Sequence, residues 1–144
     1  MRVLFVFGPS LGDLGTREPA KYGTETLVQV MDGVVSKAAS LGHEVEHRQS
    51  DHEGDLVGWV TGADGEGFGA VVMNPGALSH YSYALRDAVQ ASSAPVIEVH
   101  QTNIYSREEF RRHSVISSAA RTVIAGVGTG GYHLALEALP WITT

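Results

Sequence analysis

The chain is 144 residues long, with 43% apolar and 18% charged residues, which predicts one compact domain over residues 1–144 and argues against disorder. Its net charge of -6 disfavours nucleic acid and anionic membranes as partners because both need a basic face, although local arginines can still bind a small carboxylate substrate. It contains no cysteine, which excludes disulfides and thiolate chemistry, and no apolar run of membrane-spanning or signal-peptide character, so we expect a soluble, cytoplasmic protein.

The first third of the chain predicts a strand, a long loop and a helix. Residues 3–7 are a continuous apolar run that ends at a Gly-Pro pair, which indicates a strand buried on both faces. Residues 8–23 are rich in glycine and proline and lack periodicity, and a loop of this length in a compact domain is usually functional. Thr24 then has the right type and place to cap a helix that ends near Gly42.

The middle of the chain predicts two further strands with a helix between them. The first covers Glu44–Gln49 and is polar enough to lie at a sheet edge. Ser50 and Glu53 have the spacing of a capping box, which predicts a helix to about Thr61. The next strand begins at Ala70, after a glycine-rich connection.

The last part of the chain predicts two strands and three helical segments. A helix is expected over residues 79–90 and a strand over 96–99. Ser106 and Glu109 repeat the capping-box spacing, which predicts a short helix to Arg112. A strand at Thr122–Ala125 and a helix with three apolar residues on one face finish the chain, namely Tyr132, Leu136 and Leu139.

This alternation of strands and helices predicts an α/β fold with a parallel, doubly wound sheet. Short right-handed crossovers make a five-stranded, flavodoxin-like sheet with the order 2-1-3-4-5 the simplest arrangement. In such sheets ligands bind beyond the carboxyl ends of the strands. The loops after the first, third and fourth strands meet there and carry polar candidates for a site: Arg17, Tyr22, Asn74, His80, Glu98, His100, Thr102 and Arg111.

Two pairs within this set can exchange protons. The guanidinium of Arg17 would favour the ionised phenolate of Tyr22, which would make the tyrosine a base. Glu98 and His100 lie on one side of a strand, where the carboxylate can orient the imidazole and support a general acid. Taken alone, each pair is at least as compatible with an ordinary structural contact.

The remaining candidates suit the binding of a small polyhydroxylated acid. Asn74 and His80 bracket the start of a helix, and backbone N–H groups near Gln101 and Thr102 can bind a carboxylate. No metal cluster is expected. The other histidines are interpreted as structural or surface residues: His43, His47, His52, His113 and His133.

Four segments, in chain order, resemble the signature blocks of type II 3-dehydroquinate dehydratase, a shikimate-pathway enzyme family. They read GPSLGDLGTREPAKYG, MNPGALSHYSYALRDAV, IEVHQTNIYSREEFRRHS and IAGVGTGGYHLALEAL, and they cover nearly the whole chain. The resemblance implies dehydration of 3-dehydroquinate to 3-dehydroshikimate through an enolate, with no cofactor and no metal. It also implies a homo-oligomer, a dodecamer assembled from trimers.

The resemblance implies a role for each candidate. Tyr22 matches the catalytic base, Arg17 the arginine that keeps it ionised, His100 the general acid, and Glu98 its orienting partner. The substrate-binding positions are matched by Asn74, His80, Gln101, Thr102 and Arg111, and by Asp87, which in the family reaches the site of a neighbouring subunit.

Two alternatives stay open. Ser10 stands where the family has an asparagine that helps to hold the enolate, so a divergent paralogue acting on an amino analogue of dehydroquinate is the enzymatic alternative. The other is a flavodoxin-like module that binds FMN or accepts a phosphoryl group. Against it, the first loop offers only Ser10 to a phosphate, and the third strand ends at Asn74 rather than at an aspartate.

Overall fold

The structure is a computed structural model that describes residues 1–16 and 18–143. Its strands are β1 (Arg2–Phe7), β2 (Glu44–Gln49), β3 (Ala70–Asn74), β4 (Val96–His100) and β5 (Thr122–Ala125). They form a five-stranded parallel sheet in the order β2-β1-β3-β4-β5, which confirms the predicted topology. The helices are α1 (Pro19–Tyr22), α2 (Leu27–Ser40), α3 (Glu53–Gly62), α4 (Tyr83–Ala91) and α5 (Gly130–Ile142).

The sheet carries a hydrophobic layer on each face. Along β1, Phe5 and Phe7 pack with α2 and α5 on one side, while Leu4 and Val6 pack with α3 and α4 on the other. Full burial of such a side chain stabilises the fold by roughly 1.5–3 kcal/mol relative to leaving it exposed. The predicted apolar face of α5 is buried, and β2 is largely exposed at the sheet edge, as its polar sequence predicts. In the described part of the chain, no helix is long and apolar enough to span a membrane.

The start of α2 differs from the prediction that Thr24 caps it. Thr26 is the capping residue, because its hydroxyl accepts the Gln29 N–H at 3.2 Å while the Gln29 amide oxygen accepts the Thr26 N–H at 2.9 Å. Thr24 is followed three residues later by Leu27, which cannot reciprocate.

The two predicted capping boxes do not form because their side chains have other partners. The Ser50 hydroxyl donates to Asp55 at 2.6 Å, and the Glu53 carboxylate accepts from Ser82 at 2.6 Å. The Ser106 hydroxyl donates to the carbonyl of Asn103, and the predicted helix to Arg112 consists instead of two 3-10 turns, Ile104–Ser106 and Glu109–Arg111.

Two other segments also differ locally from the prediction. The helix expected from Ser79 begins only at Tyr83, where Ser82 caps it, and a 3-10 turn at Gly76–His80 precedes it. The segment at residues 8–23, expected to be irregular, contains α1 and a 3-10 turn at Leu11–Asp13.

Two glycines let the loops after β1 and β3 meet backbone to backbone. A Cβ on Gly8 would lie 2.4 Å from the carbonyl oxygen of Pro75, and one on Gly76 would lie 2.9 Å from that of Pro9. Gly76 also has a positive φ of 60°, which glycine adopts without strain. The close approach brings the two loops to a common edge of the sheet, beside the end of β4.

Candidate active site

A cleft opens at the carboxyl edge of the sheet, between the loops that follow β1, β3 and β4. It encloses about 730 Å³ of space, a volume that includes open solvent at its mouth. The predicted site residues that line it are Ser10, Tyr22, Asn74, His80, His100, Gln101, Thr102 and Arg111.

Two predicted site residues among those described do not line this cleft. Glu98 lies beneath its floor and is 0% exposed. Asp87 projects from α4 with 78% of its side chain exposed, 3.7 Å from Arg86. Arg17 lies outside the described residues.

Glu98 and His100 form a buried pair under the cleft. The imidazole Nε2 lies 2.8 Å from Glu98 Oε1, and both side chains are less than a tenth exposed. Two serine hydroxyls also donate to this carboxylate, Ser114 to Oε1 and Ser117 to Oε2. Burial raises the pKa of Glu98, but the hydrogen bond and charge of His100 and the two hydroxyls outweigh it, so the pKa lies below its ordinary value.

A buried phenol joins two amides that line the cleft. The Asn74 amide donates to the Tyr132 oxygen at 2.9 Å, and the Tyr132 hydroxyl donates to Gln101 Oε1 at 3.1 Å. Burial raises the pKa of Tyr132, only partly offset by Asn74, so the hydroxyl stays a donor at neutral pH. Asn74 Oδ1 is occupied by the Gly76 N–H, and Gln101 Nε2 is buried without a partner among the described residues.

His80 is held as a neutral imidazole. Its Nδ1 donates to the carbonyl of His113 at 2.7 Å. Burial lowers the pKa of His80, the bond to His113 opposes this, and the positive charges of His100, Arg111 and Arg107 lower it further. A neutral ring bonded through Nδ1 can present Nε2 to a ligand.

Arginines supply positive charge to the same cleft. Arg111 lines it while its Nε donates to Glu108 at 2.7 Å. Arg107 also lines it, with its guanidinium carbon 5.7 Å from the centre of the Tyr22 ring and its Nη1 3.5 Å from Thr102 Oγ1. Such a lining suits a small anion. Across residues 1–16 and 18–143, no three histidine or acidic side chains form a group that could hold a metal ion.

Ser10 lines the cleft in a left-handed backbone conformation, with φ of 69°. This conformation costs a non-glycine residue about 1–2 kcal/mol, and asparagine tolerates it better than serine. The Ser10 N–H donates to Asp51 Oδ1 at 3.0 Å, and the same oxygen accepts from Gln49 at 3.1 Å. The hydrogen bond from the Ser10 N–H lowers the pKa of Asp51 most, and the one from the Gln49 amide lowers it further. The carboxylate that accepts from the Ser10 backbone therefore stays ionised.

The sequence profile of the family described as dehydroquinase class II matches residues 1–140. The chain belongs to the class II dehydroquinase family. Among its relatives, a 3-dehydroquinate dehydratase of Thermus thermophilus is 52% identical over 134 residues, which cover 93% of this chain and 90% of that protein. The 3-dehydroquinate dehydratase 1 of Agrobacterium fabrum is 51% identical over 141 residues, with 98% and 97% covered.

Solved structures agree with this placement in the class II dehydroquinase family. The type II dehydroquinase from Propionibacterium acnes has a TM-score of 0.91 and 44% identity, and the match covers 99% of this chain and 95% of that one.

Sequence reasoning missed several polar side chains of this class II dehydroquinase site. Arg107 was not distinguished from its neighbours in the run SREEFRRHS. Ser114 and Ser117 carry no periodic signal, and only their position at and just after the end of the quoted motif could have drawn attention to them. Tyr132 was predicted as a core residue, which is correct for its ring but omits the hydroxyl that connects Asn74 with Gln101.

Proposed function

We propose that this chain dehydrates 3-dehydroquinate to 3-dehydroshikimate through an enolate intermediate. The observation that carries the proposal is that Tyr22 and His100, a candidate base and a candidate acid, line one cleft. The family and the names of the relatives supply the substrate. The positive lining of the cleft favours a carboxylate substrate.

In the proposed reaction, the Tyr22 phenolate removes a proton from the carbon next to the ketone, and an enolate forms. Protonated His100 then gives its proton to the departing hydroxyl, and water leaves as the conjugated enone forms. Glu98 holds His100 through Nε2, which leaves Nδ1 to face the substrate. We assign to Arg17 the role of keeping Tyr22 ionised, and Arg107 adds a second positive charge beside the ring.

We propose that one set of cleft residues binds the carboxylate of the substrate and another set binds its hydroxyl groups. The backbone at Gln101 and Thr102, with the Asn74 amide, would hold the carboxylate, while His80 and Arg111 would hold hydroxyl groups. We propose that Asp87 completes the site of a neighbouring subunit in a dodecamer of trimers. Its exposure on α4, away from its own cleft, supports that role.

The reaction is tested by following enone absorbance with purified protein and 3-dehydroquinate. Wild-type protein should produce the absorbance, and Tyr22→Phe should abolish it while leaving the assembly unchanged on size-exclusion chromatography. Absence of the product with folded, assembled wild-type protein at high concentration would contradict the proposal. The proposed enzyme is a single cytoplasmic catalytic domain that uses no metal or cofactor, so a chelator should leave turnover unchanged.

A second candidate substrate is an amino analogue of dehydroquinate. Ser10 supports it, because a short hydroxyl at this wall of the cleft has fewer donors than an amide and makes room for a different group. Catalytic efficiency with both substrates distinguishes the two candidates. If serine redirects the enzyme, Ser10→Asn should raise kcat/KM for dehydroquinate and lower it for the analogue. Equal changes for both substrates would exclude this candidate.

A further inference from the structure

The segment from His113 to Ser117 lies between the last 3-10 turn and β5. It contacts the loop after β3 and the Glu98 carboxylate on β4. The His113 carbonyl accepts from His80 Nδ1 at 2.7 Å, and the Val115 N–H donates to the carbonyl of Ser79 at 2.7 Å. Ile116 is 0% exposed and anchors the segment in the core. The segment is therefore fixed relative to the loop after β3 and to the sheet.

The Ser114 hydroxyl makes three hydrogen bonds, which use both of its lone pairs and its proton. Its oxygen accepts the N–H groups of Ile116 and Ser117, each at 3.2 Å. A hydroxyl has two lone pairs and one proton, so the proton is left to donate to Glu98 Oε1 at 2.5 Å. The turn thus holds Ser114 as a donor that cannot easily rotate away.

Ser117 donates to the second oxygen of the same carboxylate, Glu98 Oε2. Together with His100, the two serines give a carboxylate that is 0% exposed three donors on its two oxygens. A buried carboxylate needs such donors to stay ionised, and each one also restricts its rotation. His100 is bonded to the oxygen that Ser114 also holds.

We propose that Ser114 and Ser117 are positioning residues for the dehydration: their hydroxyls fix the Glu98 carboxylate so that His100 presents its proton to the leaving group. This inference rests on the proposed function. Neither serine lines the cleft, so both act through Glu98 and do not touch the substrate.

The pH dependence of turnover should report this role. His100 is the titratable group in direct contact with the carboxylate. The other charged or titratable side chains that line the cleft are Tyr22, His80, Arg107 and Arg111. Removing a serine hydroxyl takes away a donor that lowers the pKa of Glu98, so the carboxylate would take up a proton at a higher pH. In the profile of kcat against pH, the loss of activity on the acid side should therefore begin at a higher pH.

The test compares Ser114→Ala, Ser117→Ala and the double variant with Ser118→Ala, an exposed serine that follows the segment. We expect each single alanine to lower kcat roughly tenfold, a part of what a general acid contributes, with little change in KM. The acid limb should shift upward in these variants and not in Ser118→Ala. Ser117→Thr, which keeps the hydroxyl, should restore most of the rate.

Wild-type kcat and an unshifted acid limb in the double variant would overturn the inference, as would failure of Ser117→Thr to recover more than Ser117→Ala. Circular dichroism and size-exclusion chromatography identify any variant that has lost its fold. If the wild-type chain makes no enone, the proposed function fails, and the positioning role is still tested by NMR titration of the His100 ring in the free protein. An identical titration in wild type and the double variant would then contradict it.

Discussion

The guanidinium of Arg107 lies over the ring of Tyr22, with Cζ 5.7 Å from the ring centroid. This distance is within the range of a cation–π contact, and a nearby positive charge also favours a phenolate over a phenol. Arg107 comes from the loop after β4, whereas Tyr22 comes from α1 in the loop after β1. The contact therefore joins the loop that carries the proposed base to the loop that is proposed to bind the substrate.

Replacing Arg107 should weaken the proposed base. We expect Arg107→Gln to lower kcat at least about tenfold, because one of the charges that favour the phenolate is lost, and Arg107→Lys to recover only part of the rate because a point charge cannot stack on the ring. Steady-state rates of the wild-type protein and of the two variants measure the effect.

The control for this prediction is Arg121→Gln, which removes the same charge from an exposed position just before β5. Arg121 lies at the amino ends of the strands, whereas the cleft lies at their carboxyl ends. It should leave kcat unchanged. If Arg107→Gln and Arg121→Gln behave alike, the position of Arg107 over the ring has no catalytic consequence.

Tyr132→Phe should separate the packing of the ring from the hydrogen bonding of its hydroxyl. Phenylalanine keeps the edge contacts with Phe5 and Phe7, whose ring centroids lie 6.4 and 5.2 Å away. The Asn74 and Gln101 amides lose a partner, which costs about 1–3 kcal/mol of stability for buried polar groups.

Because Asn74 is proposed to hold the substrate, we expect KM to rise several-fold in Tyr132→Phe with a smaller change in kcat. Steady-state kinetics and urea unfolding measure the two effects. Tyr105→Phe, at an exposed tyrosine, should change neither. A KM equal to that of wild type would show that the phenol does not orient the Asn74 amide.

The sequence predicts the sheet well because burial produces a strong pattern. The apolar run at residues 3–7 lies in the buried interior strand β1, and polar Glu44–Gln49 is the edge strand β2. The helix caps were predicted less well, since a serine before a helix has several possible partners. Ser50 follows the sequence rule for a capping box, yet Asp55 is the partner of its hydroxyl.

The site was predictable only where a residue type is rare enough to be noticed. A glutamate and a histidine at the end of an apolar strand stand out, and Glu98 and His100 do form a pair. Ser114 and Ser117 are ordinary in a loop, and their importance depends on a carboxylate that is distant in the chain. Pairings of this kind come from the tertiary fold and leave no local spacing to read.

Two adjacent glycines in α5 should respond oppositely to alanine. A Cβ on Gly131 would lie 2.9 Å from Val99 Cγ1, so Gly131→Ala should destabilise the protein by about 1–3 kcal/mol as α5 is pushed from the sheet. A Cβ on Gly130 meets nothing within 4 Å, so Gly130→Ala should be neutral or stabilise by about 0.4–1 kcal/mol. Urea unfolding measures both. Equal effects would mean that contact with Val99 does not set the distance of α5 from β4.

Stability should fall as the pH is lowered, in two steps that involve different groups. The first step involves His80 and His43, whose pKa values in the folded protein are lowered from 6.5, mainly by burial. Below about pH 6.5 the unfolded chain therefore binds protons more readily than the folded protein, and the free energy of unfolding falls. The pKa of Glu98 is lowered from 4.5, so the stability it contributes is present above 4.5 and is lost as the pH falls through its folded value.

Glu98→Gln should therefore flatten the second step, because the side chain at this position no longer titrates. Thermal unfolding from pH 7 down to pH 3 measures the effect, with Glu44→Gln on the exposed edge strand as the control. His80→Gln should likewise reduce the loss between pH 7 and pH 5. If Glu98→Gln loses as much stability below pH 4.5 as the wild-type chain does, protonation of the Glu98 carboxylate is not the cause of the second step.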